Sequence, residues 1–256
     1  MKISVVIRQV PDLIEPLTIN STGTWIDYEE AMFLVNEYDD HALEQALLLK
    51  EAHGGAVTAV ALDFGDVEET LYAAAAKGVD RIIKIPYTGE KSPSPLEAAP
   101  LFAPVIASTS PDLVLVGVQS YEELQGTFAP YLAHALKLPY AGLIQGVEAA
   151  GEGFVRAYKE FPGAAKALLR VQLPAVLGIL SASKPPRYVP ISRVRAAMKE
   201  AHFEEQEGPL GEPAPGIHVK RLFYPEVSGR AEILEGSEED IAAKIIQIFE
   251  EKGVIS

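Results

Sequence analysis

The chain is 256 residues long and carries 36 acidic against 22 basic residues, a formal charge of -14 at pH 7. Such an excess of acid repels nucleic acid unless the few bases gather on one face. With 48% hydrophobic residues and no cysteine, the composition is that of a folded globular chain, and it leaves no material for disulfides, thiolate metal sites or cysteine nucleophiles.

No apolar run approaches the roughly 18 residues of a membrane span, and the start of the chain lacks a signal peptide's apolar region and cleavage site. An unprocessed cytoplasmic chain is expected. Residues 3–7 are a short β-branched run broken by Pro11 and Asp12, as in a strand of a parallel sheet buried on both faces. Asp39 and Asp40 offer N-caps to a helix whose Ala42, Leu43, Ala46 and Leu47 recur at helical spacing up to Gly54. A second strand at Ala56–Leu62, a helix at Val67–Lys77 capped by Asp66, and a third strand at Arg81–Ile85 follow. Pro93 and Pro95 precede a helix-compatible stretch to Ala107, and residues 113–116 form a fourth strand. Gly117 then opens a loop, and residues 124–136 can be helical apart from Pro130. Strands alternating with helices at this pitch predict an α/β fold with a doubly wound parallel sheet.

From Gly151 onward, residues 154–158, 167–171 and 175–180 read as added strands or a meander. A basic segment with Lys184, Arg187, Arg193, Arg195 and Lys199 precedes an acidic one with Glu200, Glu204, Glu205 and Glu207. Residues 208–231 read as an extended, proline-rich arm. Ser237 and Asp240 then open an amphipathic helix striped by Ile241, Ile245, Ile248 and Phe249. The expected division is a body at 1–200 and, at 201–256, an arm ending in a helix that contacts a partner. From the residues alone, that helix either folds back on the body or clasps another chain.

Common enzyme signatures are missing. There is no G-x-G-x-x-G after a strand, no Walker A loop and no G-x-S-x-G elbow, and the five histidines lack metal-site spacing. In an open parallel sheet, ligands bind beyond the carboxyl ends of the strands at the switch point, which singles out residues 8–12, 63–66 and 117–127. The last loop carries Gly117, Gln119, Ser120, Gly126 and Thr127, whose amides and hydroxyls ahead of a helix suit a phosphate. Glu122 and Glu123 oppose one, and the loop reads equally well as structural.

The segments VVIRQVPD (5–12), NEYDDHALE (36–44), GVDR (78–81), DLVLVGVQ (112–119), LPAV (173–176) and PRY (186–188), in this order and spacing, resemble the beta subunit of electron transfer flavoprotein over nearly the whole chain. The resemblance implies an adenine-nucleotide alpha hydrolase-like fold. It also implies an electron-carrier subunit with no catalytic acid or base of its own, paired with an alpha subunit that holds most of the FAD. The heterodimer would shuttle electrons between flavin-dependent dehydrogenases and a downstream acceptor. AMP, or a second FAD in bifurcating members, would lie in a cleft lined by Val6, Asn36, Glu37, Tyr38 and Asp39, its phosphate end on the loop carrying Gly117, Gln119, Ser120, Gly126 and Thr127. Ile191 falls where the family presents an apolar anchor to dehydrogenases. Arg187, Arg193 and Arg195 nearby are either part of that interface or a solvated face.

The chain departs from the family in several places. Val118 stands where a base follows the loop glycine, Leu124 and Thr127 replace an acid and a glutamine, and Asp63 and Phe64 replace a glycine-proline turn. A lost cation and an added carboxylate each cost on the order of 1 to 3 kcal/mol of phosphate affinity, so AMP or a second FAD is expected to be held weakly, if at all. The alternative reading is a diverged adenine-nucleotide-binding or assembly module without electron traffic.

Overall fold

The apolar run near the start of the chain forms β1 (Lys2–Ile7), buried at every position past Lys2. Ile3, Val5 and Ile7 face one side and Val6 the other, so both faces of the strand need cover. The computed structural model describes residues 1–29, 31–65, 67–89, 91–123, 125–208, 219–225, 231 and 233–255. They divide into two units, Met1–Leu222 and Phe223–Ser256.

In the first unit, β2 (Gln9–Pro11) pairs with β5 (Phe33–Val35), and β3 (Thr18–Ile19) with β4 (Ile26–Asp27), as short antiparallel ladders. α1 (Glu37–His53) gathers Glu37, Asp39 and Asp40 in its first turn and Lys50 and His53 in its last, so each charge complements the helix dipole. β6 (Ala56–Leu62), α2 (Val67–Lys77), β7 (Arg81–Ile85), α3 (Pro95–Ser108) and β8 (Leu113–Gly117) continue the alternation. α3 opens on a capping box of Ser94 and Glu97, with Pro95 in its first turn. α4 (Phe128–Leu136) starts only after Gly126, whose φ of 61° is left-handed; the expected start at Leu124 lies outside the described residues. β9 (Tyr140–Ala149), β10 (Phe154–Phe161), β11 (Ala165–Gln172), β12 (Ala175–Ile179), α5 (Ile191–Glu200) and β13 (Phe203–Glu205) complete this unit. α6 (Glu238–Glu251) belongs to the second and begins on a capping box of Ser237 and Asp240.

The described residues form a nine-stranded main sheet in the order β11-β10-β9-β12-β8-β1-β6-β7-β13. Neighbours from β9 to β13 along that order are parallel, while β9, β10 and β11 alternate in direction. Leu43, Ala46 and Leu47 of α1 and Leu71 of α2 pack on one face, and Phe102 and Ile106 of α3 with Phe128 and Leu132 of α4 on the other. Each such fully buried Leu, Ile or Phe side chain contributes roughly 1.5–3 kcal/mol. This is the doubly wound α/β arrangement expected from the strand and helix rhythm.

Three elements differ from expectation. β9 was not foreseen and joins the body strands to the hairpin of β10 and β11, while the strands expected at 154–158, 167–171 and 175–180 form as β10, β11 and β12, with β12 between β9 and β8. The basic run from Ile191 is helical, as α5. Residues 203–205, read as arm, pair with β7 as a sheet edge, where Arg81 grips both oxygens of Glu204 at 2.6 Å each. Asp66, read as a helix cap, and residues 209–218 and 226–230 of the expected arm lie outside the described residues. Among the described residues, no helix is long and apolar enough to cross a membrane.

Candidate functional site

From β1 the chain proceeds to β6 and β7 on one side and returns to β8 on the other. The switch point, where ligands of such sheets bind, therefore lies past Ile7 and Gly117. Arg8, the first residue after β1, sits there. Its Nε donates to Asp39 Oδ2 at 2.8 Å, and its Nη1 to Glu123 Oε2 at 3.0 Å. Its Nη2 donates to Asp39 Oδ1 at 3.0 Å, Gly117 O at 2.9 Å and Gln119 O at 3.3 Å. Asp39 comes from the first turn of α1, is fully buried, and also accepts the backbone N–H groups of Arg8 and Gly117 at 3.0 and 2.7 Å. The other oxygen of Glu123 accepts the N–H of Phe128, the first residue of α4, and the Arg8 guanidinium lies 5.0 Å over the Phe128 ring. Burial alone would lower the Arg8 pKa; the charges and hydrogen bonds of Asp39 and Glu123 outweigh it, and the net shift is upward. Arg8 is therefore a permanent cation in this cluster.

The rim of the crevice is held separately. Phe64 packs its ring against Tyr28, Phe33 and Tyr87 with centroids 5.3, 5.9 and 6.1 Å away. The Tyr28 hydroxyl donates to Glu122 Oε1 at 2.6 Å, and burial, then the Glu122 charge, hold its pKa well above the ordinary tyrosine value. Asp63, expected to bring negative charge near the cleft, is paired with Lys84 at 3.2 Å.

The expected cleft residues have different fates. The Val6 side chain is fully buried in the core under α3 and α4, and Glu37 is exposed. Asn36 is buried, donates from Nδ2 to Gln119 O at 2.8 Å, and leaves its Oδ1 buried with no partner. Tyr38 packs against Gly117: a Cβ on Gly117 would stand 2.6 Å from both Tyr38 Cβ and Asp39 Oδ1, so this glycine admits the start of α1 to the end of β8. Ser120 is buried, Gln119, Gly126 and Thr127 are half-buried, and Thr127 makes no side-chain cap to α4. The fold thus gathers Asn36, Asp39, Gly117, Gln119 and Glu123 around Arg8. Arg8 falls in the 8–12 loop that the switch-point rule singles out but was not named among the cleft residues; a base directly after a buried central strand in an acidic chain is a further signal for it.

The expected partner residues divide in two. Arg187 donates from its backbone N, Nε and Nη2 to Glu44 at 3.0, 2.8 and 2.9 Å and from Nη1 to Glu51 at 2.6 Å, fastening the segment after β12 to α1. Burial would raise the Glu44 pKa, but the Arg187 hydrogen bonds overcome it and the net shift is downward. Ile191, at the start of α5, is 68% exposed, and Arg193 and Arg195 are exposed and form no ion pair among the described residues.

Comparison with known proteins agrees with this architecture. The electron transfer flavoprotein domain family matches residues 25–207. The chain is similar to the electron transfer flavoprotein subunit beta of Methylophilus methylotrophus, at 29% identity over 98% of each chain. It is also similar to that of Bacillus subtilis at 24% over 97% of each, and to the protein FixA of Azorhizobium caulinodans at 28% over 91% of this chain and 86% of the other. A match over more than half of the chain shows that it belongs to the electron transfer flavoprotein family, in the role of a beta subunit.

Proposed function

We propose that this chain is the beta half of a cytoplasmic heterodimer, giving cover and a docking face to an FAD held mainly by an alpha-type partner. Family membership implies association with flavin and AMP. The electron chemistry is the flavin's; this chain's residues position, shield and dock. The observation that carries the reading beyond the family is α6, which has no buried residue and exposes Ile245, Ile246 and Phe249 by 38, 51 and 44%. An apolar helix stripe of this kind calls for a covering surface, and an alpha-type subunit supplies one. Tyr188 and Ile191, with Arg193 and Arg195 beside them, offer an apolar anchor with a basic rim to an acidic patch on a flavin-dependent dehydrogenase.

Co-expression with the alpha-type subunit tests this. The pair is expected to purify together with a flavin visible spectrum. Replacing Ile245 and Phe249 by Asp should release the partner without lowering the Tm of the chain alone, and Ile191→Glu should slow electron entry from the dehydrogenase with flavin content unchanged. A pair that purifies together yet stays colourless after FAD is supplied defeats the reading.

A further inference from the structure

The crevice does not fit the phosphate that the family's AMP would bring, and the residue that prevents it can be named. We propose that Glu123 is a built-in substitute for a nucleotide phosphate, and that this chain folds, pairs and works with no AMP in the switch-point crevice.

Where an anion would be received, at the N-terminal end of α4, the Glu123 carboxylate already accepts the N–H of Phe128. Its second oxygen holds Arg8 Nη1 at 3.0 Å, so the cation that the described residues bring to the cluster is spent on it and on Asp39. The residue that would add a second cation is Val118, buried and apolar. Four of the loop's amides are engaged as well. Gly117 N donates to Asp39, Val118 N to Ile179 O, Glu123 N to Ser120 O and Gly126 N to Glu123 O. Nor does Gly117 offer close backbone approach to a ligand, because Tyr38 and Asp39 stand in the space its missing side chain leaves. Beside Arg8 stand the carboxylates of Asp39 and Glu123, with Glu122 held nearby by Tyr28. A dianion brought to this cluster meets more negative charge than positive.

The bland alternative is that Glu123 is an ordinary cap of α4. An ordinary N-cap is the residue next to the helix, which in α4 is Thr127, whereas Glu123 reaches Phe128 from five residues upstream, is 7% exposed and has its second oxygen bound to a guanidinium anchored on α1.

The inference rests on family membership, not on the flavin reading, and the flavin spectrum of the complex reports on that reading separately. The full-length chain, alone and with its alpha-type partner, is denatured in acid and the supernatant analysed for adenine nucleotides. The same preparations are then titrated calorimetrically with AMP and with inorganic phosphate. The wild type is expected to release no stoichiometric nucleotide and to give no binding heat. Glu123→Ala, verified by cooperative unfolding, should gain at least about tenfold in affinity for both ligands, the equivalent of about 1.4 kcal/mol. Stoichiometric AMP on the wild type overturns the proposal, and needs no variant to do so. A folded Glu123→Ala with no more affinity than wild type overturns it equally. If Glu123→Ala does not fold, Glu123→Gln, which keeps an acceptor for Phe128 N–H and removes the charge, takes its place under the same criterion.

Discussion

Replacing Arg8 by Ala removes the cation from a cluster whose two acids have almost no other access to compensation. The Asp39 and Glu123 side chains are 0 and 6% exposed. The Arg8 side chain makes five hydrogen bonds. At about 1.5–3 kcal/mol each, they would sum to most of the 5–15 kcal/mol that hold a typical protein folded, so they cannot be additive. The better measure is the cost of leaving a buried charge uncompensated, about 3–5 kcal/mol. Asp39 keeps the amides of residue 8 and Gly117, and Glu123 keeps that of Phe128, which places the loss at the lower end, about 3 kcal/mol. At about 2–4 °C per kcal/mol for a chain of this size, the Tm should fall by roughly 6–12 °C. Urea unfolding of the isolated chain, followed by circular dichroism, gives the free energy directly. Arg8→Lys keeps the charge without the bidentate fork and should fall between. A loss below about 1 kcal/mol for Arg8→Ala, the level of an exposed ion pair, would refute the description of this cluster as buried and mutually dependent.

Gly117→Ala forces a methyl to within 2.6 Å of Tyr38 Cβ and 2.7 Å of the Asp39 backbone N, which cannot rotate away; it should cost about 1–3 kcal/mol by overpacking, and an unchanged urea midpoint would contradict the close approach. The pairing of Glu44 with Arg187 sets a pH dependence. Its folded pKa is depressed, so the stabilisation is complete above the unfolded value near 4.3 and is lost as pH falls through the folded one. Between pH 5 and 3, stability of the wild type should therefore fall more steeply than that of Arg187→Gln, and parallel curves would rule the linkage out.

The central strands were legible because burial on both faces leaves a continuous apolar run, as at residues 3–7, Ala56–Leu62 and 113–116. β9 was not, because it is interrupted by Gly142 and Gly146, holds Leu143 at a φ of 60°, and shifts register against both β10 and β12. Glycine and irregular register erase the period that identifies a strand. α5 buries no residue fully and carries Ile191, Val194 and Met198 among the bases that dominated its reading, and β13 is three residues long and holds its place partly through the Arg81 and Glu204 pair. The site was half legible. Asn36, Asp39 and the loop after Gly117 could be found from the switch-point rule and the family resemblance. Arg8 lies in the 8–12 loop that the same rule selects, but its pairing could not be read, because its partners lie 31 and 115 positions away and only the folded sheet brings three such separate acids and bases together.

The same cluster changes how the chain's stability responds to its surroundings. A fold that closes around a free ligand gains RT ln(1 + [L]/Kd), about 2.7 kcal/mol at a hundred times Kd, and forfeits it when the ligand is scarce. In this chain Arg8, Asp39 and Glu123 knit the ends of β1 and β8 to the starts of α1 and α4 with covalently tethered groups. Their effective concentration is fixed by the chain itself and does not follow cellular supply. Dilution, dialysis and starvation for nucleotide leave that bracing intact.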